Sequence, residues 1–235
     1  MKIGIITDIH NNLIALEAVL NEIENSCDFI ICCGDIIGIG PYPDETVQRM
    51  MKIKNLIAVK GNHERYLLEG TPNEIPNEEH MDIEEMKHHK WEHKQLSNGS
   101  IDFLKTLPYS IKFEIEGKKI FITHYAMNDD NKYTSFCNSI EKLFSSVDAD
   151  IIIYGHNHSK NICNSDKLYI NVGSLGCPAN DRNIARYGVL EIKDENVNIE
   201  TKELKYDSQT VINKINELNY PASDEIKRLF YGISD

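Results

Sequence analysis

The sequence predicts an α/β fold of two packed sheets with helices on the outside, and three observations lead there. The first sixty residues alternate strand-like apolar runs with helical stretches, the second half is rich in strands, and five apolar runs end in polar, metal-ligand-type residues. Alternation of this kind implies parallel strands with right-handed crossovers, and open α/β sheets carry their sites at strand C-termini.

Residues 3–7 read as the first strand, followed by a helix over 13–24 with Leu13, Leu16, Leu20 and Ile23 on one face. A second strand, 29–33, runs into a loop punctuated by Gly and Pro (34–43), then a short helix near 44–51. The third strand, 56–59, ends at Gly61-Asn62-His63. Residues 65–95 are acidic, rich in His and short of strand-like runs. Here a helix is expected within 77–96 and a second over 101–107, stopped by Pro108. Residues 110–116 and 119–123 read as a hairpin turning at Gly117. A helix (140–147) and strands at 151–154, 168–172, 188–192 and 197–204 follow. The tail holds two helical stretches, 209–218 and 223–231, parted by Pro221. The expected organisation is one domain over 1–235, with a helical insertion at about 65–107 and a helical tail at about 206–235.

The chain has 235 residues, 41% apolar and 26% charged, the balance of an ordinary globular protein. Its net charge of −12 disfavours long nucleic acid, yet not a small phosphorylated substrate, because bound divalent ions reverse the local field. The N-terminal apolar run is too short for a signal-peptide core, and no run approaches a membrane span. A cytoplasmic location is expected. Cys27, Cys32, Cys33, Cys137, Cys163 and Cys177 form no C-x-x-C pair and read as small hydrophobes or free thiols. Cys32 and Cys33 are expected on opposite faces of one strand.

Seven ligand-type side chains end the five runs: Asp8 and His10, Asp35, Asn62, His124, and His156 with His158. Cleaving a phosphoester at neutral pH needs a strong nucleophile and compensation for phosphoryl charge. Two divalent ions about 3.5–4 Å apart supply both. Asp35 is the candidate bridging carboxylate. Asp8 and His10, two apart on an extended turn, can reach one ion. His156 and His158 can reach separate ions, or one together. Asn62 offers a neutral oxygen, and His63 can protonate the leaving oxygen, oriented by Glu64. Taken singly, Asp8 or Asp35 is an ordinary turn or cap residue, and His124 an ordinary buried histidine. Jointly these alternatives fail, since all five clusters end strands and carry N/O ligands. Such ligands suit Mn, Fe, Co, Ni or Zn ions.

The motifs D-I-H-N-N (8–12), G-D-I-I-G-I-G-P (34–41), G-N-H-E (61–64), T-H-Y (123–125) and G-H-N-H (155–158) resemble those of calcineurin-like metallophosphoesterases. With N-V-G-S-L-G-C-P (171–178), the chain most resembles the small prokaryotic members related to diadenosine tetraphosphatases. The resemblance spans residues 3 to about 192, and the 206–235 tail is similar to that subgroup as well. It implies a four-layer α/β/β/α sandwich of two mixed sheets flanked by helices. It also implies that Asp8, His10, Asp35 and His158 hold one metal ion, that Asp35, Asn62, His124 and His156 hold the second, and that His63 is the acid. Asp35 and His63 would then be catalytic. Asn12, Asn62, His63, Arg182 and Arg186 are candidate substrate contacts.

Three departures qualify the match. Asn11 stands where the family usually has Gly, and Asn tolerates the left-handed backbone that such a turn demands. Cys177 and Ala179 replace the usual Gln and Arg, leaving Arg182 or Arg186 to supply a guanidinium. Gly38-Ile39-Gly40 lacks the Arg of Ser/Thr phosphatases, which lowers the protein-phosphatase reading.

The implied activity is hydrolysis of a phosphodiester or nucleoside polyphosphate by metal-activated hydroxide. Phosphomonoester hydrolysis is the alternative. A non-catalytic protein-binding scaffold, like the retromer subunit of this fold, is the alternative of another class; the retained His63 and histidine ligands favour the enzyme. A nuclease would need a basic track for its polymer. The expected partner is a small phosphorylated substrate, a nucleotide among the candidates, with homo-oligomerisation left open. His80, His88, His89 and His93 lie in the insertion; His89 and His93 share a helical face, as a metal pair or on a solvated helix interleaved with Glu85, Glu92 and lysines. A lid over the site is the favoured role for this segment. Trp91 is expected to pack it onto the body.

Overall fold

Side chains alternate along β1 (Lys2–Ile6), and that alternation builds two cores at once. Ile3 and Ile5 point into the space between two sheets, while Ile6 packs under the first helix. The computed structural model describes residues 1–128, 133–134, 139–178, 182–193 and 196–233; Cys137 and Ala179 lie outside them.

The first sheet has the order β10-β9-β1-β2-β3. β1, β2 (Phe29–Cys32) and β3 (Leu56–Ala58) run parallel, and β9 (Ile184–Lys193) and β10 (Asn196–Lys205) run antiparallel beside β1. The second sheet has the order β4-β5-β6-β8-β7. In it the hairpin β4 (Ser110–Ile115) and β5 (Lys118–Thr123) is antiparallel, β5, β6 (Ile151–Ile153) and β8 (Leu168–Asn171) are parallel, and β7 (Asn161–Asn164) closes the edge antiparallel. Both sheets are therefore mixed, and together with their flanking helices they make the expected α/β/β/α sandwich. Ile31, Cys33, Val59 and Leu190 from one sheet meet Ile120, Ile122, Ile151 and Ile170 from the other. Each such buried Ile contributes about 1.5–3 kcal/mol by removing apolar surface from water. Cys32 faces the helical side and Cys33 the inter-sheet side, as strand alternation requires.

Helices α1 (Leu13–Ile23) and α2 (Pro43–Met51) cover the outer face of the first sheet, burying Leu16, Leu20, Val47 and Met50. Three more helices lie between β3 and β4: α3 (Asn62–Glu69), α4 (Ile83–His93) and α5 (Asn98–Thr106). α3 was not foreseen, because Gly61-Asn62-His63 reads as loop. Its start signal is Glu64, which reaches back to the Gly61 N–H at 2.6 Å. α4 lies within the expected 77–96 window and starts some way into it. The Asn77 side chain bonds both Met81 N (3.0 Å) and Met81 O (2.9 Å), a local turn that competes with helix. Asp82 then caps α4 by accepting the Glu85 N–H.

α6 (Ile140–Leu143) also stops early of the expected 147, in a Phe-Ser-Ser-Val stretch of modest helix propensity. β7 went unforeseen because it is short, polar and mostly exposed, as edge strands often are. In the tail, α7 (Ser208–Leu218) and α8 (Ser223–Ile226), continued by a π-helical turn (Lys227–Tyr231), pack back over the body. Trp91 of α4 stacks on Tyr220 with centroids 4.3 Å apart and planes 13° apart, so it packs the segment as expected. No helix among the described residues is long and apolar enough to cross a membrane.

Candidate dinuclear metal site

Parallel strands carry their C-termini to one edge, so β1, β2 and β3 deliver Asp8, Asp35 and Asn62 side by side, and β5 and β6 deliver His124 and His156 opposite them. All seven expected ligand residues meet there. Asp8, His10, Asp35 and His156 each hold φ between 50° and 68°, left-handed backbone that non-glycine residues seldom adopt. Strain of this kind is maintained where the surroundings over-determine it, commonly at functional sites. Asn11 shares it at φ 53°, so the turn survives the loss of the usual glycine.

Three of the four ligand histidines are aimed by their other ring nitrogen. His10 Nδ1 lies 3.3 Å from the Ile37 carbonyl, His158 Nδ1 2.8 Å from that of Cys177, and His124 Nδ1 2.7 Å from that of Cys33. A carbonyl only accepts, so these Nδ1 atoms donate, and in the neutral rings each Nε2 is left with a lone pair. The Nε2 atoms of His10 and His158 then face each other at 3.0 Å. Two lone pairs at that separation repel unless a cation lies between their directions. The donor set therefore fits a metal ion. Asp8 Oδ1 stands 3.6 Å from His158 Nε2 and 3.9 Å from His10 Nε2, completing a three-residue group. Asp35, His124 and His156 form another, and Asp35 also joins His10 and His63. Asp35 Oδ2 is common to them: 3.2 Å from His124 Nε2 and 3.9 Å from the Nε2 of both His10 and His63. Asn62 Oδ1 sits 3.0 Å from His124 Nε2 and from His156 Nδ1.

Burial sets the charge states. Desolvation and the neighbouring His158 hold His10 down at about 4, and burial with His124 does the same for His156. Both are therefore neutral and ready to ligate at pH 7. His124 is desolvated too, but Asp35 lies closer to it and lifts it to about 9. His63 is held well below its ordinary value by burial, against the opposing pull of Asp35.

The geometry agrees with the family comparison, in which residues 1–195 match the calcineurin-like phosphoesterase superfamily domain. The chain belongs to that superfamily. An uncharacterized protein of Methanocaldococcus jannaschii is 32% identical, with 98% of each chain covered. In fold, the chain is similar to a metallophosphoesterase from Sphaerobacter thermophilus (TM-score 0.74, 24% identity, 99% of this chain and 100% of that one). It is also similar to a hypothetical protein from Pyrococcus horikoshii OT3 (TM-score 0.76, 17% identity, 100% and 99%).

Several residues support this calcineurin-like site without having been singled out. Thr7 donates to Asp8 Oδ2 at 2.7 Å, Ser174 donates to the Asp8 carbonyl at 2.9 Å, and Asn171 holds the carbonyls of Gly155 and Asn157. Asn171 and Ser174 lie within the 171–178 motif, which was their signal. Glu64 does not orient His63 as expected. Its two oxygens accept the backbone N–H groups of Asp35, Ile36, Ile37 and Gly61, so it holds the Asp35 loop instead. The ring of His63 packs where a Cβ on Gly38 would stand, 2.2 Å from His63 Nδ1; with φ at 101°, only glycine serves there. A Cβ at Gly61 would lie 2.1 Å from Asp35 Oδ1.

The face of α4 that carries its histidines is largely buried, which does not fit the solvated-helix alternative. His88, His89 and Glu92 are almost wholly enclosed. Glu92 Oε1 accepts from Asn11 Nδ2 at 2.5 Å and from the Gly38 N–H, tying α4 to both loops that flank the site. His88 Nε2 accepts the Ile39 N–H at 3.1 Å. His80 is exposed. Asn12 is fully buried: its Oδ1 caps α1 through the Ala15 N–H, and its amide meets the Gly176 carbonyl and the Tyr206 and Tyr231 hydroxyls. No polar atom of Asn12 is left to face a substrate. Arg182 donates to the Gly232 carbonyl and Arg186 to Glu203.

Proposed function

We propose that this protein hydrolyses a phosphodiester, with Asp8, His10, Asp35 and His158 holding one divalent ion and Asp35, Asn62, His124 and His156 the other. The observation that carries the reading is the opposed Nε2 pair of His10 and His158, 3.0 Å apart, with Asp35 Oδ2 shared between the two ligand groups. Two bound transition-metal ions would supply Lewis acidity toward the phosphoryl oxygens and a nucleophile at neutral pH. Asp35 keeps the two positions close. Asn62 ligates without adding negative charge. His63, beside Asp35 and lining a cavity, is placed to pass a proton to the leaving oxygen; burial disfavours the charged ring and the Asp35 carboxylate favours it.

That cavity, about 280 Å³, favours an organic leaving group. It lies between α4 and the tail, lined by His63, Ile39, Leu229 and Phe230 with Asp82, Glu85 and Glu225. The ring of Phe230, a lining residue, lies 6.2 Å from that of His158, so the cavity wall adjoins a ligand residue. Its described lining holds three carboxylates and no Lys or Arg, which would repel the remaining phosphates of a nucleoside polyphosphate. A diester with a neutral or cationic, partly apolar alcohol is therefore preferred over the diadenosine-tetraphosphate type. Arg186 stays the candidate phosphate contact, since its Cδ passes 2.8 Å from the Cβ position of Gly173, which lies 3.2 Å from the backbone carbonyl of His158.

The test is hydrolysis of bis-p-nitrophenyl phosphate beside p-nitrophenyl phosphate by metal-stripped protein reloaded with Mn²⁺, with His63→Ala in parallel. Metal-dependent turnover favouring the diester and reduced in the variant supports the reading. Faster monoester turnover would replace it with a phosphomonoesterase. Silence on both, with metal bound, would favour a scaffold.

A further inference from the structure

We propose that His89, Glu92 and His93 form a third metal site, separate from the dinuclear cluster, that takes a single Zn²⁺-class ion. The three residues sit at i, i+3 and i+4 of α4, a spacing that brings side chains onto one helical face. One ligand atom from each lies within 4.8 Å of the others. The set is enclosed rather than solvated: His89 and Glu92 are 0% exposed.

Hydrogen bonding within the chain leaves this cluster incomplete. Among the described residues, His93 Nε2 is buried with no hydrogen-bond partner, and so is His89 Nε2, although it is His89 Nδ1 that faces Glu92. A packed core would give such nitrogens a carbonyl or hydroxyl. Here the nearby acceptor is Glu92, and its two oxygens are divided. Oε1 takes Asn11 Nδ2 and the Gly38 N–H, while Oε2 faces His89 Nδ1 at 3.3 Å. The bonds to Oε1 fix the carboxylate and leave Oε2 toward the imidazoles, the kind of outer support that metal-ligating carboxylates carry. Two imidazoles and one carboxylate are a donor set that Zn²⁺ accepts, with a fourth position left for water.

The placement gives the ion a consequence. Glu92 grips Asn11, next to His10, and Gly38, whose Cβ position is taken by the His63 ring; the His89 ring lies 5.0 Å from that of His63. An ion on Glu92 would clamp α4 against both loops of the dinuclear site, on the side where His63 meets the cavity.

The test counts metal in the full-length protein. Metal-stripped wild type and His93→Ala are reloaded with excess Zn²⁺, desalted and measured by mass spectrometry of the metal, with circular dichroism as the folding control. His93 is the ligand nearest the surface, so its truncation disturbs packing least; His89→Ala serves as the second variant. The expected result is three equivalents in wild type and two in either folded variant. Equal stoichiometry in wild type and both variants overturns the proposal, whether the count is two or three. A fall from one to none would support this site and remove the dinuclear one, so the two readings fail separately.

Discussion

Glu64 Oε2 accepts the Asp35 N–H at 3.0 Å, and Glu64 Oε1 accepts those of Ile36 and Ile37 at 2.8 and 3.1 Å. One buried carboxylate thus shapes the loop that presents another. Burial and the Asp35 charge push the Glu64 carboxyl up, while the N–H groups of Gly61 and Ile37 pull it back.

Glu64→Gln should therefore unsettle the Asp35 loop more than any exposed change. An amide NH₂ cannot accept, and each Glu64 oxygen serves two backbone donors, so two of the four lose their partner inside the protein. The expected loss is about 2–4 kcal/mol, since a buried unsatisfied donor costs about 1–3 kcal/mol and the loop relaxes with it. Denaturant unfolding of the metal-free proteins measures it. An unchanged midpoint would mean that the loop holds itself.

His124 makes metal uptake depend on pH. Asp35 raises it to about 9, so it carries a proton at pH 7 in the metal-free protein, whereas His10 and His156, at about 4, carry none. A metal ion at Nε2 must displace that proton. Affinity for the ion beside His124 should rise with pH up to about 9 and then level. Calorimetric titration at pH 7 in buffers of different ionisation enthalpy should show close to one proton released per chain.

The five apolar runs and their terminal ligands were legible because they obey simple periodicity: buried parallel strands read as continuous Ile-rich stretches, and their ends as polar clusters. What stayed hidden depends on partners far along the chain. Glu92 looks like one charge among many on α4, and only the fold places it against Asn11 and Gly38. Glu64 sits beside His63 in sequence, yet its oxygens turn to backbone groups of a loop some 27–29 residues earlier. Within the 77–96 window α4 begins only at Ile83, because Asn77 bonds Met81 locally, a competition that composition does not reveal.

Asn12→Ala separates a structural role from a binding one. The substitution removes the cap of α1 and the amide that meets Tyr206 and Tyr231. Loss of a cap of this kind costs about 1–2 kcal/mol. Thermal unfolding should register that loss while KM for bis-p-nitrophenyl phosphate stays at the wild-type value. A raised KM at unchanged stability would return Asn12 to the substrate contacts.

Asp44 links α2 to α5 by accepting from Ser97 N (2.8 Å) and Ser100 Oγ (2.5 Å). Although burial opposes it, the bonds from Ser100 and Ser97 lower its pKa. A depressed carboxylate stabilises the fold above its unfolded pKa of about 3.9 and loses that contribution as pH falls through the folded value. Asp44→Asn should be about 1 kcal/mol less stable than wild type at pH 7, a figure kept small for partial exposure. The gap should close toward pH 3. Urea melts across pH check the trend, and a gap that widens on acidification would contradict it.

The most direct test of the metal reading is anomalous diffraction from crystals of the Mn²⁺-loaded protein. The account predicts two peaks about 3.5–4 Å apart with Asp35 between them. One should be held by Asp8, His10 and His158, the other by Asn62, His124 and His156. A density-free gap between His10 Nε2 and His158 Nε2, with the two rings still facing each other, would contradict it.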